Sequence, residues 1–506
     1  MTGLLQLPSE LISEIASYLD TETLFSLRLS SKYLEQSCLS VFGRRFFRKK
    51  GFLITTRSIS VLQAIASQEK LQKYVQHVWI NPDCYTSSGP RCDPPNLYDE
   101  SKEGDCTPSS KMDRRRWRAW HACTQDHATL IYTPHLLATL LKSAFKSLPN
   151  LTVLGMRRSE DHHAWGCKEL KDAIGQDPRI VGSYPGAQDG LSGPTLLFIA
   201  FVNAVAEAKV SLKRLYTDAI EIDNIRDCYL PQRRLEQTFR DLLYLEVNVY
   251  RGRYSEEQTL DLLKCERKEE YGKGFLRFWK ACKNLHEVGL QVFDGPMRRY
   301  MLPPTSNDLP DGLPPSRLDQ FSWLQAYPHI AFQKLVENVQ LHQLRRIKLE
   351  KMTTTPDTLQ AFLSPSRGSL TSIKFRDFRL LSSDESGRPW QSVFTFLRDD
   401  CPDLLYILLN RLMYEGGTIS FVEHPPLPVP YLEIQDPNDN PNVQYGEPVS
   451  DGFFSKYEHI ALEASGRENV AAKLGSIVNQ HWYQQPLFSY QMDEDLWHTD
   501  TSDEEW

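Results

Sequence analysis

The sequence predicts an α/β protein in which parallel strands carry helices on their outside, behind a short all-helical opening. Three observations predict it. An apolar helical stripe opens the chain. The phrase Leu-x-x-[Leu/Ile/Val]-x-apolar recurs seven times between residues 151 and 409, one copy closing on Thr217. Most copies follow a helical run that ends in a turn.

Composition bounds the class. The chain has 506 residues, 41 % apolar and 24 % charged, which suits a globular protein of about three domains, or one extended repeat body with an appendage. A net charge of −7 argues against a general nucleic-acid binder. No basic stretch, apolar core and small-residue cleavage site open the chain, so no signal peptide is expected. The longest apolar run, "LLFIAFVNAVA" at 196–206, is too short to span a bilayer and contains Asn203, so no membrane is expected. Ten cysteines, none in a CxxC pair, fit reduced thiols in the cytoplasm or nucleus.

The opening "LPSELISEIASYLD" at 7–20 reads as a helix with Pro8 in its first turn, where a missing N–H costs nothing. Leu11, Ile12, Ile15, Ala16 and Leu19 fall on one face, and Ser13, Glu14 and Ser17 on the other. Asp20 or Thr21 caps a second helix carrying Leu24, Phe25, Leu27 and Leu29. Ser30 or Ser31 caps a third with Tyr33, Leu34, Cys38 and Leu39. Three short helices cannot bury this much apolar surface among themselves, and no metal ligands or paired cysteines help them. Part of the stripe therefore faces the rest of the chain or another protein.

The stretch "LPSELISEIASYLDTETLFSLRLSSKYLEQ" resembles the F-box, with Leu7, Pro8, Glu10, Leu11, Ile15, Tyr18, Leu19, Leu24, Leu27, Leu29, Ser31, Lys32 and Leu34 at its pattern positions. The resemblance covers residues 1–47. It implies docking on a Skp-family adaptor, and through it on a cullin–RING ubiquitin ligase. It also implies that Leu7, Pro8, Leu11, Ile15 and Leu19 touch the adaptor. Leu24, Leu27 and Leu34 either touch it too or hold the helices together. A looser likeness to fungal F-box proteins continues through "FF", a Thr-x-x-Ser helix start and "YVQHVWINPD".

Residues 48–133 read as a linker region. The cations Arg44, Arg45, Arg48, Lys49 and Lys50 around Phe46 and Phe47 form a solvated helix face. Ser58 caps a helix that turns Leu62, Ile65 and Ala66 inward, and "VQHVWI" is a buried strand. Residues 86–112, rich in Pro, Gly, Ser and charge, are expected to be a mobile insertion. "RRRWRAW" at 114–120 restarts a helix, with arginine stems lying over Trp117 and Trp120.

Over 134–422 the recurring phrase, a helix, a turn and then a short strand, is leucine-rich-repeat-like. It predicts an irregular solenoid with parallel strands and outer helices. Its leading leucines stand 61, 30, 43, 59, 26 and 34 residues apart, so the array is eroded or heavily inserted. The alternative is a non-repetitive α/β domain in which helix–strand units merely alternate. Inserts at 157–194, 294–320 and 379–389 are expected to project from the rim and to serve as partner contacts. Residues 423–492 are a Pro/Asn-rich crossing and a cap of one strand and one helix. Residues 493–506, with seven acidic side chains and no Lys or Arg, are expected to form a disordered tail.

Catalytic signatures are missing: no phosphate loop, no GxGxxG after a strand, no HExxH and no GxSxG. The metal candidates Cys84, Cys92, Cys106, His121, Cys123, His127, His162, His163 and Cys167 lack the closely spaced pairs that zinc favours. No catalytic residue, cofactor or metal is expected. The expectation that follows from the resemblance is a non-catalytic, substrate-recognising subunit of a Skp–cullin–F-box ligase that binds an unidentified protein target. The alternatives are an F-box scaffold acting outside the ligase, and a metalloprotein or enzyme hidden in the repeat body.

Overall fold

In a computed structural model the chain is described at residues 4–82, 84–85, 111–157, 164–175, 182–183, 191–218, 220–222, 225–231, 234–250, 272–293, 332–381, 389–414, 417–421, 461–479 and 482–484. It divides into two units, Met1–Pro314 with Glu337–Leu344, and Pro315–Val336 with Arg345–Trp506.

The first unit opens on helices α1 (Ser9–Tyr18), α2 (Thr21–Ser30), α3 (Lys32–Ser37) and α4 (Leu39–Phe47). A parallel sheet follows, in which each strand lies beside the one before it in the chain. Its strands are β1 (Lys49–Leu53), β2 (His77–Asn81), β3 (Val153–Met156), β4 (Arg214–Tyr216), β5 (Tyr244–Tyr250) and β6 (Glu287–Phe293). Helices fill the connections: α5 (Thr56–Ser67) and α6 (Glu69–Gln72), then α7 (Lys111–Ile131) and α8 (Pro134–Lys146), then α9 (Cys167–Ile174) and α10 (Gly193–Ala208). Single helices α11 (Leu235–Phe239) and α12 (Lys273–Ala281) fill the last two.

One backbone device repeats from strand to strand. A single carbonyl accepts the N–H groups of two successive residues that start the next strand. Arg48 serves Gln76 and His77, Gln76 serves Thr152 and Val153, and Thr152 serves Lys213 and Arg214. Lys213 serves Leu243 and Tyr244, and Leu243 serves His286 and Glu287. The first two of these carbonyls lie before residue 134. Within the stretch read as a linker, residues 49–53 and 77–81 therefore supply β1 and β2 of the same sheet. "FRKKGF" and "VQHVWI" are degenerate versions of the phrase, the first with Lys50 at its central apolar position.

The run at 196–206 lies in α10, which is buried nearly all round, as expected of a core helix. Asn203 is tolerated there because its amide donates to the Ile199 and Tyr229 carbonyls, each at 2.8 Å. No helix among the described residues is long and apolar enough to cross a membrane. At α5 the cap is Thr55, whose hydroxyl accepts from the Ser58 N–H, and not Ser58 itself. Ser58 is instead a buried tie, accepting from the Leu53 N–H and donating to the Trp165 carbonyl.

Across the strands, one register row reads Gly51, Trp79, Gly155, Tyr216, Glu246 and Gly289. The large rings lie flat over glycine. A β-carbon at Gly51 would stand 2.0 Å from the Trp79 ring, and one at Gly155 2.0 Å from the Tyr216 ring. Gly51→Ala and Gly155→Ala should each lower stability by about 1–3 kcal/mol, because a buried ring must be lifted. Urea unfolding followed through tryptophan fluorescence checks this, and unchanged midpoints would contradict it.

The first insert does not simply project from the rim. The Trp165 N–H donates to the Gly51 carbonyl and its carbonyl accepts from the Leu53 N–H, so the insert runs beside β1. Ala164 and Cys167 then pack on Leu53, Trp79 and Tyr216. Residues 86–110 and 294–320 lie outside the described residues, and Lys111 and Met112 already belong to α7.

The second unit repeats more strictly. Strands β7 (Arg346–Glu350), β8 (Ser372–Arg376) and β9 (Tyr406–Asn410) are parallel, with α13 (Pro356–Leu363) and α14 (Pro389–Asp400) between them. The shared carbonyls continue at Arg345 and Thr371. Directly after each strand the chain turns through a left-handed residue: Lys351 at φ 53°, Asp377 at 52° and Arg411 at 51°. Two-residue strands follow at Thr353–Thr354, Arg379–Leu380 and Met413–Tyr414, and pair with one another in a second sheet. The third insert thus begins as part of that sheet, while 382–388 lies outside the described residues. The left-handed conformation costs a non-glycine residue about 1–2 kcal/mol. Here it is offset by the Lys351 N–H bond to the Arg376 carbonyl and the Asp377 N–H bond to the Asn410 carbonyl, both 2.9 Å. The Asp377 carboxylate also grips Arg411 at 2.7 and 2.8 Å. Beyond 422, β10 (Ala461–Ser465) pairs antiparallel with β9 and α15 (Arg467–Asn479) follows; 493–506 lies outside the described residues.

Candidate functional site

The candidate site is built by α1–α4. Pro8 is the residue before α1 rather than a member of its first turn, with φ −54° and ψ 148°. Asp20, one of the two cap candidates, caps α2 by accepting from the Thr23 N–H at 2.8 Å and the Thr23 hydroxyl at 2.7 Å. Ser31 caps α3 through the Leu34 N–H. The Tyr33 hydroxyl ties the entry down by donating to the Leu7 carbonyl at 2.7 Å, and Arg45 reaches the Leu19 carbonyl. The Arg28 guanidinium lies 3.3 Å from the centre of the Phe42 ring, and Phe42 packs with Phe25, Phe46 and Phe47.

Helical geometry splits the apolar stripe. Successive residues turn by about 100°, so five apolar positions span more than one neighbour can cover. Ile12 and Ala16 point inward and form a small core with Leu24, Leu34, Cys38 and Val41. Leu11 and Ile15 point outward, 46 % and 38 % exposed, and Tyr18 continues their line at 82 %. Leu7, Leu19 and Leu27 are half-buried at the core's edge, and Pro8 is exposed. Of the two roles open to Leu24 and Leu34, the structure assigns packing: they are 0 % and 3 % exposed. Between α1 and α2 lies an open groove of about 260 Å³, lined by Leu4, Ile12, Ile15, Leu19 and Leu27 with Thr23, Ser26 and Ser30.

Sequence reasoning did not count Tyr18 among the contacts, although it is the most exposed large side chain of α1. Its spacing of i+7 from Leu11 and i+3 from Ile15 was the available signal. The arrangement offers no acid–base pair or nucleophile. It offers an apolar ridge beside a groove, suited to a protein partner.

The cap makes a pH prediction. Hydrogen bonds from Thr23 hold the Asp20 carboxyl below its ordinary value of 3.8. A group whose folded pKa is depressed stabilises the fold above that ordinary value, and the gain is lost as pH falls through the folded pKa. Acid titration of helical circular dichroism should therefore show a component in the wild type that Asp20→Asn removes. Superimposable acid limbs would contradict it.

The metal candidates do not converge among the described residues: no group of three or more His, Cys, Asp or Glu there could hold an ion. The Cys123 thiol is buried beside Trp120 and is pushed up to about 12 by that burial. Burial holds the His127 imidazole down to about 4. His121 stacks on Trp117 at 3.6 Å. Cys92, Cys106, His162 and His163 lie outside the described residues.

Residues 4–43, which span α1–α3 and the start of α4, match the family model of the F-box domain. No curated protein matches the chain.

Proposed function

On the premise that the chain is an F-box protein, we propose that it is the target-binding subunit of a Skp–cullin–F-box ubiquitin ligase. F-box domains bind Skp-family adaptors as a class. The observation that carries the reading is the outward line Leu11, Ile15 and Tyr18 beside the α1–α2 groove, an apolar face that nothing in its own four helices covers. The proposed contact set is Leu7, Pro8, Leu11, Ile15, Tyr18, Leu19 and Leu27.

The body is proposed to be an irregular leucine-rich-repeat-like array that holds the target on its strand face. Its support is the recurrence of the shared carbonyl, seven times, and of the left-handed residue after β7, β8 and β9. Such a subunit needs no catalytic side chain. It acts by position, raising the effective concentration of target lysines near the transfer enzyme. A cytoplasmic or nuclear setting fits the free thiols of Cys38, Cys123, Cys167, Cys282 and Cys401, all buried.

Affinity purification of the full chain from cells tests this reading. Adaptor and cullin should be recovered together, and neither with residues 1–47 removed. Recovery of adaptor without cullin would replace the ligase reading by that of a scaffold outside the ligase.

A further inference from the structure

Helix α1 and the residues flanking it carry most of the proposed contact set, yet α1 is poorly equipped to hold itself in place. It has only ten residues, short for a helix that must persist in water. Pro8 before it offers no side-chain acceptor, so α1 lacks the cap that Asp20 gives α2 and Ser31 gives α3. Its last turn has no Lys or Arg to meet the final carbonyls. Within the helix only Ile12 and Ala16 are buried.

What α1 lacks is supplied from α3 and α4. At its start, the Tyr33 hydroxyl donates to the Leu7 carbonyl at 2.7 Å, and the Leu7 N–H in turn donates to the Leu4 carbonyl at 3.3 Å. At its middle, the Ser13 and Ser40 hydroxyls meet at 3.1 Å. At its end, the Arg45 guanidinium donates to the Leu19 carbonyl at 2.5 Å, which places a cation where the helix dipole favours one. Each tie joins residues 26 or 27 positions apart, so each fixes α1 on the rest of the helical unit and not on itself. The outer two act on the backbone of Leu7 and Leu19, both in the proposed contact set, and Leu4 and Leu19 line the α1–α2 groove. Arg44, next to Arg45, bonds within its own helix instead: its Nε donates to the Ser40 carbonyl.

We infer that Tyr33 and Arg45 are positioning residues of the adaptor site. They hold the two ends of α1 where the adaptor meets them, without being the side chains on which it docks. The inference rests on the adaptor reading and deepens it. A groove whose walls are already set needs little ordering when a partner arrives. Freeing either end of α1 lowers the fraction of chains ready to dock, and the apparent Kd rises by the same factor.

Calorimetric titration of purified Skp-family adaptor into full-chain variants tests the inference. Tyr33→Phe removes one hydroxyl and Arg45→Met one guanidinium, and each should weaken binding about five- to tenfold. Arg44→Met makes the same change in charge and should stay within about twofold of the wild type. Action through a neighbour has a further signature. On a Leu19→Ala background, Arg45→Met should cost less than about twofold, because the side chain it places is gone; Tyr33→Phe on Leu7→Ala should behave alike. The Arg45→Met loss should also be equal at about 0.1 M and about 1 M salt, because salt screens an ionic contact with the adaptor but not a hydrogen bond inside the chain. Hydrogen exchange across α3 and α4 should be unchanged, which excludes unfolding of the four helices as the cause; a rise there would assign both side chains to stability alone and overturn the inference. Wild-type affinity in Tyr33→Phe and Arg45→Met, undiminished losses on the Leu19→Ala and Leu7→Ala backgrounds, or a loss that vanishes at high salt would each overturn it too, and would leave the adaptor reading in place. Failure of the wild type to bind adaptor would instead remove the adaptor reading, and this inference with it.

Discussion

Leu11→Asp with Ile15→Asp should abolish capture of a Skp-family adaptor while leaving the chain folded. Both side chains stand on the outer face of α1, and neither belongs to the core formed by Ile12, Ala16, Leu24, Leu34, Cys38 and Val41. Their loss therefore opens no cavity. Buried interface anchors cost about 2–4 kcal/mol each on truncation, and a carboxylate forced into an apolar interface adds its desolvation. Even if the two losses overlap, affinity should fall by at least about a hundredfold. Calorimetric titration against purified adaptor reads the loss, and an unchanged melting profile shows that it is local. If both substitutions leave affinity unchanged, the partner does not use this face.

Leu24→Ala should act by the opposite route. Leu24 has no exposed surface and sits between α1, α3 and α4, so truncation removes apolar contact and leaves a void. The expected cost is about 2–5 kcal/mol. Helices of about 40 residues have little stability of their own to lose, so α1–α4 should loosen while the sheet of the first unit persists. Hydrogen exchange should rise across 9–47 and stay low across β1–β3. Because adaptor binds only the folded helices, excess adaptor should restore protection in Leu24→Ala by mass action, whereas the Leu11/Ile15 variant should keep its protection without adaptor and gain none from it. Protection unaffected in Leu24→Ala would mean that the core has been misassigned.

How far the sequence reached differs from element to element. Asp20 and Ser31 were legible because an N-cap needs a short side-chain acceptor just before an apolar run, and few residues compete there. Ser58 misled, since Thr55 offers the same chemistry three residues earlier and only the fold shows that Ser58 is needed by Leu53 and Trp165. The stripe on α1 was legible as a stripe, but its division into inner Ile12 and Ala16 and outer Leu11 and Ile15 depends on where α3 and α4 lie.

The parallel strands were expected from the repeated phrase, and β3 to β9 all lie on copies of it. Strand β1 escaped because Lys50 occupies a position that is apolar elsewhere; its ammonium lies 5.1 Å from the centre of the Phe47 ring. The turn after β7, β8 and β9 also left a trace: a further apolar residue, Met352, Phe378 or Leu412, stands three positions after the phrase in each copy. The left-handed residues before them carry no such signal, because Lys, Asp and Arg are not turn formers as a set.

The central claim is that the outer face of α1 and α2 is covered by another chain. Equilibrium binding of purified Skp-family adaptor to the full chain, and to the chain lacking residues 1–47, tests it most directly. Saturable binding by the full chain, with none by the shortened one, is the expected result. Binding by neither, or equal binding by both, would contradict it.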